Sequence, residues 1–405
     1  MYEQKRVEEE VQKVYQKVNP STYPIEKDKK EFKRRMDFME NLFLHRLNFP
    51  PKMFKNTTLL DFGTGTGEHS LFYLKAGASC TFVEKNTLAC QRAEALFQKF
   101  SPEPTKWKIV NESLFDFNSE ESYDIVTSLG VIHHTVNKEK AFEIQSSYLK
   151  KGGFLFLETG NSAGCFQRNL QRAIINNFAK SEEDIVSLAE ELFPEHLDRA
   201  EKYGGRDRKA IIYDGYVNPK IDTASISEVL SWFSKNNLTM YSSWPPIIPS
   251  ILGDPADRNP LRLEDFPNLM SISEAVFLSH SSSDATTLTE IERETKTVIT
   301  PFKQLVDLLN DVTPNRHVEF DDVIRLIDKF QSVGKELNPY VSHISRLMNV
   351  LNESKMIIEL LQQDNIDGVK KCIKNTKALF SGTAGLGSSF YMGYKPKLKT
   401  RIFFS

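Results

Sequence analysis

An α/β fold, a parallel sheet wrapped by helices, is predicted by three observations. Short apolar runs alternate with helical patterns from about residue 57 to Glu158, and a glycine-rich turn follows the first run. The composition, 40% apolar, 11% aromatic and 26% charged over 405 residues, is that of a globular chain longer than one average domain.

The elements follow in order. Tyr2 to about Phe43 is charged with apolar residues at helical intervals, predicting two amphipathic helices broken near Asn19, Pro20 and Pro24. After Pro50 and Pro51 come TLLDF (strand), SLFYLKAG (helix), CTFVE (strand), LACQRAEALFQKF (helix), KWKIV and YDIVTSL (strands), FEIQSSYLK (helix) and GFLFLE (strand). Ala163 to Lys202 reads as helical, with a capping signature at Ser181 to Asp184. ISEVLSWFSKNN predicts a helix, LTMYSSW a strand, and Pro245 to about Pro267 a long loop. From about Thr287 to Phe380 apolar residues recur at three and four, as in Phe302, Leu305, Val306 and Leu309, or Val323, Ile324, Ile327 and Phe330, predicting a helical unit. Gly382, Gly385 and Gly387 precede SSFYMGYK, a strand pattern, and a basic tail from Lys395 to Arg401.

Charge and cysteine content exclude several classes. Lys+Arg 52 against Asp+Glu 54 gives a net charge of -2, which supplies no global footprint for nucleic acid or an anionic membrane. Cys80, Cys90, Cys165 and Cys372 show no metal-ligand spacing, so no structural metal or disulfide framework is expected. The charged amino terminus lacks a signal-peptide pattern, and no apolar run approaches the roughly 18 residues that span a bilayer. A cytoplasmic protein with no membrane association is the expectation.

The segment Leu59-Leu60-Asp61-Phe62-Gly63-Thr64-Gly65-Thr66-Gly67-Glu68 runs from a strand into a glycine turn, where open α/β sheets bind ligands. A G-x-G-x-x-G fingerprint would need glycine where Glu68 stands, and no Gly-Lys-Ser/Thr is present. Asp61 and Glu68 would repel pyrophosphate, which favours a cationic or zwitterionic cofactor. Glu84 ends the second strand, where a carboxylate can accept hydrogen bonds from both ribose hydroxyls and would exclude a 2'-phosphate.

From these residues through Asn111-Glu112-Ser113, Tyr123 to His134, and Leu149 to Phe154, the chain resembles the class I S-adenosylmethionine-dependent methyltransferases of small-molecule type. The resemblance implies a Rossmann-like doubly wound seven-stranded sheet with the last strand antiparallel, an N-terminal helical lid and large helical insertions. It implies S-adenosyl-L-methionine as cofactor, bound by Asp61, Gly63, Thr64, Gly65, Gly67, Glu84, Lys85, Glu112, Ser113, Ser128 and Leu129, with Asp116 competing with Glu112 for the adenine amine. LTMYSSW becomes strand six; strand seven is either Ala275–Ser279 or Ser389–Tyr394, the latter looking more like the family's closing strand. The expected organisation is a lid over 1–56, a core over 57–283 with a helical insertion at about 162–208 and a loop at 245–270, accessory helices over 284–381, and a closing strand and tail over 382–405.

In this family an acceptor displaces the cofactor's methyl group in line, and a protein base is needed only for a protonated acceptor. The candidate catalytic residues are His133, His134, Tyr213 and Asp214; cofactor packing is the alternative for the histidines, and turn or packing roles for Tyr213, Asp214 and Tyr216. Glu158 and Asn161 face the same end of the sheet, with helix capping the alternative for Asn161. Arg168, Arg172, Arg206 and Arg208 are candidates for reading an acidic acceptor, with a water-facing role the alternative. His69 reads as a helix-surface or packing residue. Tyr15, Tyr23 and Phe32 are candidate lid residues. The expected acceptor is a small molecule with an O- or N-nucleophile, without nucleic acid, and the C-terminal helices are a possible homodimer face. The rival readings are an RNA methyltransferase and an inactive cofactor-binding or scaffold protein.

Overall fold

The computed structural model describes residues 2–18, 22–26, 28–101, 106–247, 274, 306–312, 320–337, 344–380 and 388–397. Ala275–Ser279, most of the proline-rich stretch, Phe302, Leu305, Gly382, Gly385, Gly387 and the end of the basic tail lie outside the described residues.

Seven strands form one sheet: β1 (Thr58–Phe62), β2 (Ser79–Val83), β3 (Trp107–Val110), β4 (Tyr123–Leu129), β5 (Leu149–Gly160), β6 (Thr239–Trp244) and β7 (Ser388–Tyr394). Their spatial order is β3-β2-β1-β4-β5-β7-β6. The first five strands pair in parallel. β7 inserts between β5 and β6, antiparallel to both, with Leu157 opposite Tyr391 and Trp244 opposite Phe390. The closing strand is therefore SSFYMGY at 388–394, from the far end of the chain. Its alternation explains the placement: Tyr391 enters the apolar core on one face of the sheet, whereas Phe390 and Met392 enter the core on the other.

The amino-terminal segment belongs to that second core. α1 (Tyr2–Lys17) is followed by α2 (Lys29–Asn41), which Asp28 caps by accepting from the Lys30 N–H at 2.7 Å. A π-helical turn, Leu42–Arg46, then aims Phe43 inward. Its ring meets Phe54 and Phe156 edge-on at 4.9 Å each and stacks on Phe72 at 5.7 Å.

Helices α3 (Leu71–Lys75), α4 (Thr87–Phe100) and α5 (Lys138–Ser147) wrap the core sheet. After β5 the chain leaves it as α6 (Phe166–Phe178), α7 (Glu182–Leu192), α8 (Pro194–Gly204) and α9 (Arg208–Ile212), then returns through a π turn, Tyr213–Val217, and α10 (Ile226–Lys235). The Ser181 hydroxyl accepts from the Asp184 N–H at 3.1 Å, as the capping signature predicts. Among the described residues, α11 (Phe320–Leu337), α12 (Ile344–Gln362) and α13 (Ile366–Asn375) precede β7.

The two helical regions that sequence separates by more than a hundred residues share one apolar core. Phe166, Leu170 and Ile174 of α6 join Val323 and Ile327 of α11 and Leu351 of α12, all 0% exposed. Each amphipathic stripe is too apolar to face water, and the other stripe covers it. Among the described residues, no helix is long and apolar enough to cross a membrane.

Candidate functional site

The strand order reverses between β1 and β4, leaving a crevice at their carboxyl ends. The glycine turn after β1 fills its floor. The Gly63 N–H continues the sheet ladder to the Val83 carbonyl at 2.7 Å. Gly63 has φ +73°, and a β-carbon there would lie 2.3 Å from a Val131 methyl, so the chain passes only without a side chain. At Gly65 the chain is again left-handed (φ +56°) and its N–H donates to Glu84 Oε2 at 2.9 Å. The other oxygen of Glu84 accepts from the Asn86 N–H at 2.8 Å. One carboxylate thus ties the glycine turn to the start of α4. Burial raises the Glu84 carboxyl above its ordinary range, and these N–H groups oppose the shift.

Asp61 sits beneath the turn and accepts from Ser70 Oγ at 2.6 Å and Thr127 Oγ1 at 2.5 Å. Burial pushes its carboxyl up to about 6, against the pull of these hydroxyls.

Two cavities meet above the turn. The first, about 180 Å³, is bounded by Glu84, Lys85, Glu112, Ser113 and the inner face of α1. A second, about 270 Å³, is bounded by Asp61, Thr64, His133, Glu158, Arg168 and Asp214. Tyr15, Gly63, Gly65, Leu129, Gly130 and His134 line both and form the passage between them.

α1 roofs the first chamber. Glu8 pairs with Lys85 and accepts from Ser113 Oγ at 3.0 Å, Gln4 accepts from the Val136 N–H at 3.0 Å, and Lys17 pairs with Glu182 at 2.7 Å. Gln4, Glu8, Val11, Gln12 and Tyr15 fall on one face at helical spacing.

The two histidines have different surroundings. His134 Nδ1 lies 2.7 Å from the Lys220 carbonyl and so carries the proton, which leaves Nε2 to accept from the Tyr15 hydroxyl at 3.1 Å. His133 Nδ1 is buried with no hydrogen-bond partner among the described residues. Burial lowers both imidazoles, His133 well below its ordinary value, and both are neutral at pH 7. Asp214 is held by Arg206 Nη1 at 2.8 Å. Burial pushes its carboxyl up, but Arg206, His134 and Arg168 together outweigh that and bring it to about 2.

Glu158, at the end of β5, is pushed up to about 7, chiefly by burial. Its folded value therefore exceeds the unfolded one, the native state binds the extra proton, and the group's contribution to stability is lost as pH rises from about 4.5 to about 7. Glu158→Gln is expected to gain about 3 kcal/mol relative to the native chain at pH 8 compared with pH 4.5. Denaturant titrations at both pH values check this, and a difference that does not change with pH would refute it.

Most of the residues predicted from sequence line these chambers: Asp61, Gly63, Thr64, Gly65, Glu84, Lys85, Glu112, Ser113, Leu129, His133, His134 and Asp214. Three line neither. A β-carbon on Gly67 would lie 3.0 Å from Ala93 and Phe97, so this glycine serves the passage of α4. Ser128 turns to the other side of the sheet and accepts from Gln145 Nε2 at 3.0 Å. The Tyr213 hydroxyl donates to Glu182 at 2.5 Å, away from the chambers.

Tyr216 likewise donates to Gln171 at 3.0 Å. Among the arginines, Arg168 and Arg206 reach the second chamber, whereas Arg172 holds the Gly215 and Asn218 carbonyls and Arg208 pairs with Asp198 and Glu201. His69 precedes α3 rather than riding on it, and also lines the second chamber. Asn161 Oδ1 accepts from the Gly164 N–H at 2.9 Å in the turn before α6. Sequence reasoning missed Glu8 and Gly130. The helical spacing of Glu8 with Tyr15 was a usable signal for the first; Gly130, left-handed at φ +76°, is marked only by being a glycine at a strand end.

A family model described as a methyltransferase domain matches residues 32–239. No curated protein matches the chain. Solved structures similar to it include the YcgJ protein from Bacillus subtilis, at 19% identity, 52% of this chain, 71% of that chain and a TM-score of 0.32. Another is magnesium protoporphyrin IX methyltransferase (ChlM) from Synechocystis PCC 6803 with bound SAH, at 13% identity, 52% of this chain, 75% of that chain and a TM-score of 0.33. A third is N-methyltransferase NodS from Bradyrhizobium japonicum in complex with S-adenosyl-L-homocysteine, at 17% identity, 38% of this chain, 76% of that chain and a TM-score of 0.30.

Proposed function

The chain belongs to the methyltransferase domain family, and from that premise we propose that it transfers a methyl group from S-adenosyl-L-methionine to an O- or N-nucleophile of a small molecule. The observation that carries the reading is the joining of the two chambers at Gly63, Gly65 and Gly130. One chamber suits a nucleoside end, and the other, at about 270 Å³, has room for the reacting end of a small acceptor.

The chain's own groups fit this cofactor. Asp61, Glu84 and Glu112 surround the glycine turn, a donor set that suits a cationic sulfonium and ammonium and repels polyphosphate. Glu84, already fixed by two backbone N–H groups, retains lone pairs for ribose hydroxyls. Glu112, Ser113 and Glu8 stand at the adenine end, and Asp61 with Thr64 at the methionine end. When bound, the cofactor supplies the activated methyl carbon. The protein supplies alignment: α1 roofs the first chamber through Glu8 and Tyr15, and His134, committed at both ring nitrogens, holds Tyr15. Of the histidines, His133, which lines the second chamber with no partner for Nδ1 among the described residues, is the candidate to take a proton from a hydroxyl acceptor, although burial lowers its basicity.

Calorimetry with S-adenosylmethionine and S-adenosylhomocysteine should show binding of both, and methyl-labelled cofactor should transfer label into low-mass metabolites. Binding of neither would sink the methyltransferase reading, and label entering total RNA instead would overturn the small-molecule acceptor. His133→Ala should lower turnover at saturating cofactor by about 100-fold; full turnover removes it as the base.

A further inference from the structure

Gly130 stands in the passage between the two chambers, where the reacting atom of an acceptor would meet the cofactor. The place that a β-carbon of Gly130 would take is flanked by two groups, Glu158 Oε2 at 3.9 Å and His133 Cε1 at 4.0 Å. The end of β5 and the turn after β4 thus bring a carboxylate and an imidazole to one point.

Among the described residues, the second chamber is lined by four carboxylates, Asp61, Glu68, Glu158 and Asp214, and three of them are committed to the protein. Asp61 accepts from Ser70 and Thr127. Glu68 accepts from Thr66 Oγ1 and, through its other oxygen, from the Tyr23 N–H at 3.2 Å, with Arg92 3.5 Å away. Asp214 is paired with Arg206. Glu158 has the Ser388 hydroxyl as its hydrogen-bond partner among the described residues. A carboxylate offers about four lone-pair sites, so most of its accepting capacity is turned to the cavity.

The arginines of the chamber do not fill it. Arg206 Nη1 is on Asp214 at 2.8 Å and Arg168 Nη2 donates to Cys165 Sγ at 3.2 Å; both act on Glu158 through charge alone and lower it, whereas Asp214 and burial raise it to about 7. Tyr73, His69 and His133, which face the same chamber, are neutral at pH 7, and Arg35 of α2 stands across the third cavity. That cavity, about 760 Å³, opens toward solvent between α2 and the end of α8. Glu158 lines both it and the second chamber, which gives a proton taken by Glu158 a way to water. A buried carboxylate with empty lone pairs calls for donors, and an ammonium brings several donors together with the opposite charge.

We propose that the acceptor is an amine and that Glu158 is a catalytic residue, its carboxylate receiving the ammonium beside Gly130 and taking one of its protons. The nitrogen lone pair so freed forms the bond to the methyl carbon, the carbon–sulfur bond breaks with its pair left on sulfur, and Glu158 releases the proton through the third cavity. His133 flanks the same nitrogen from the other side. The inference rests on the methyltransferase reading and narrows its acceptor to a nitrogen nucleophile.

The first test needs no acceptor. Carboxyl-carbon NMR of the glutamate-labelled full chain, with Glu158→Gln identifying the resonance, follows Glu158 with S-adenosylmethionine and with S-adenosylhomocysteine bound. The two ligands differ by the methyl group and the sulfonium charge, so Glu158 should titrate at least one pH unit lower with the first. Equal midpoints would overturn the proposal. With S-adenosylhomocysteine bound, benzylamine should bind tenfold or more tighter than benzyl alcohol, and Glu158→Gln should abolish that preference. No preference, including no binding of either probe, would overturn the amine assignment. Methyl-labelled cofactor should place label on nitrogen in low-mass metabolites, and Glu158→Gln should lower that transfer by about 100-fold with S-adenosylhomocysteine affinity within about threefold of native. Label on oxygen, or undiminished transfer, would overturn the role of Glu158. Failure of the native chain to bind either cofactor form would instead strike the methyltransferase reading, and this inference with it.

Discussion

Glu84→Ala is expected to weaken S-adenosylmethionine binding by about 100-fold, close to 3 kcal/mol. Two effects add. The charge-assisted contacts to the ribose proposed for this carboxylate would be lost outright. The same substitution frees the N–H groups of Gly65 and Asn86, which Glu84 now holds at 2.9 and 2.8 Å, so the left-handed glycine turn loses the tie that fixes it against α4. Preorganisation is removed together with a contact. Glu84→Gln, which keeps one acceptor oxygen, should recover part of the loss. Calorimetry with S-adenosylhomocysteine, beside a thermal melt to show that the variant is folded, measures it. An affinity within threefold of the native value would mean that Glu84 does not hold the cofactor.

Phe43→Ala is expected to cost about 3–5 kcal/mol of stability, the largest effect of any single truncation proposed for this chain. Phe43 is 0% exposed, and its ring touches aromatic side chains from the Pro51–Phe54 turn, from α3 and from β5. A void there has rigid walls on all sides and cannot collapse. Urea unfolding should show a lower midpoint with an unchanged slope. A loss below about 1 kcal/mol would show that the amino-terminal segment only rests on the sheet.

How much of this was legible in sequence depends on the range of the interaction. Every core strand, and the helices α3, α4, α5 and α10, was marked by local periodicity, because burying one face of a local element imposes a period of two or near 3.6 on its own residues. The floor of the site was legible for a related reason: a left-handed turn with no room for a β-carbon can be built only from glycine, and Gly63 is such a position. Side-chain direction was not legible. Ser128 and Leu129 are neighbours, and alternation along β4 sends the first to Gln145 and leaves the second at the passage between the chambers. Tyr213 and Asp214 are also neighbours, and the π turn aims one at Glu182 and the other at Arg206.

The amino-acid sequence by itself determined the α/β core, the glycine turn, the acidic end of β2 and the kind of cofactor they suit, since each is set by residues within a few positions of one another. Only the tertiary structure decided the rest. Which distant segment closes the sheet, the fusion of two helical regions into one apolar core, and the separate fates of His133 and His134 all join residues far apart in the chain. The physical reason is that burial and charge compensation are properties of neighbours in space. A basic residue carries the same local signature whether it ends in water, in an ion pair or in the wall of a cavity.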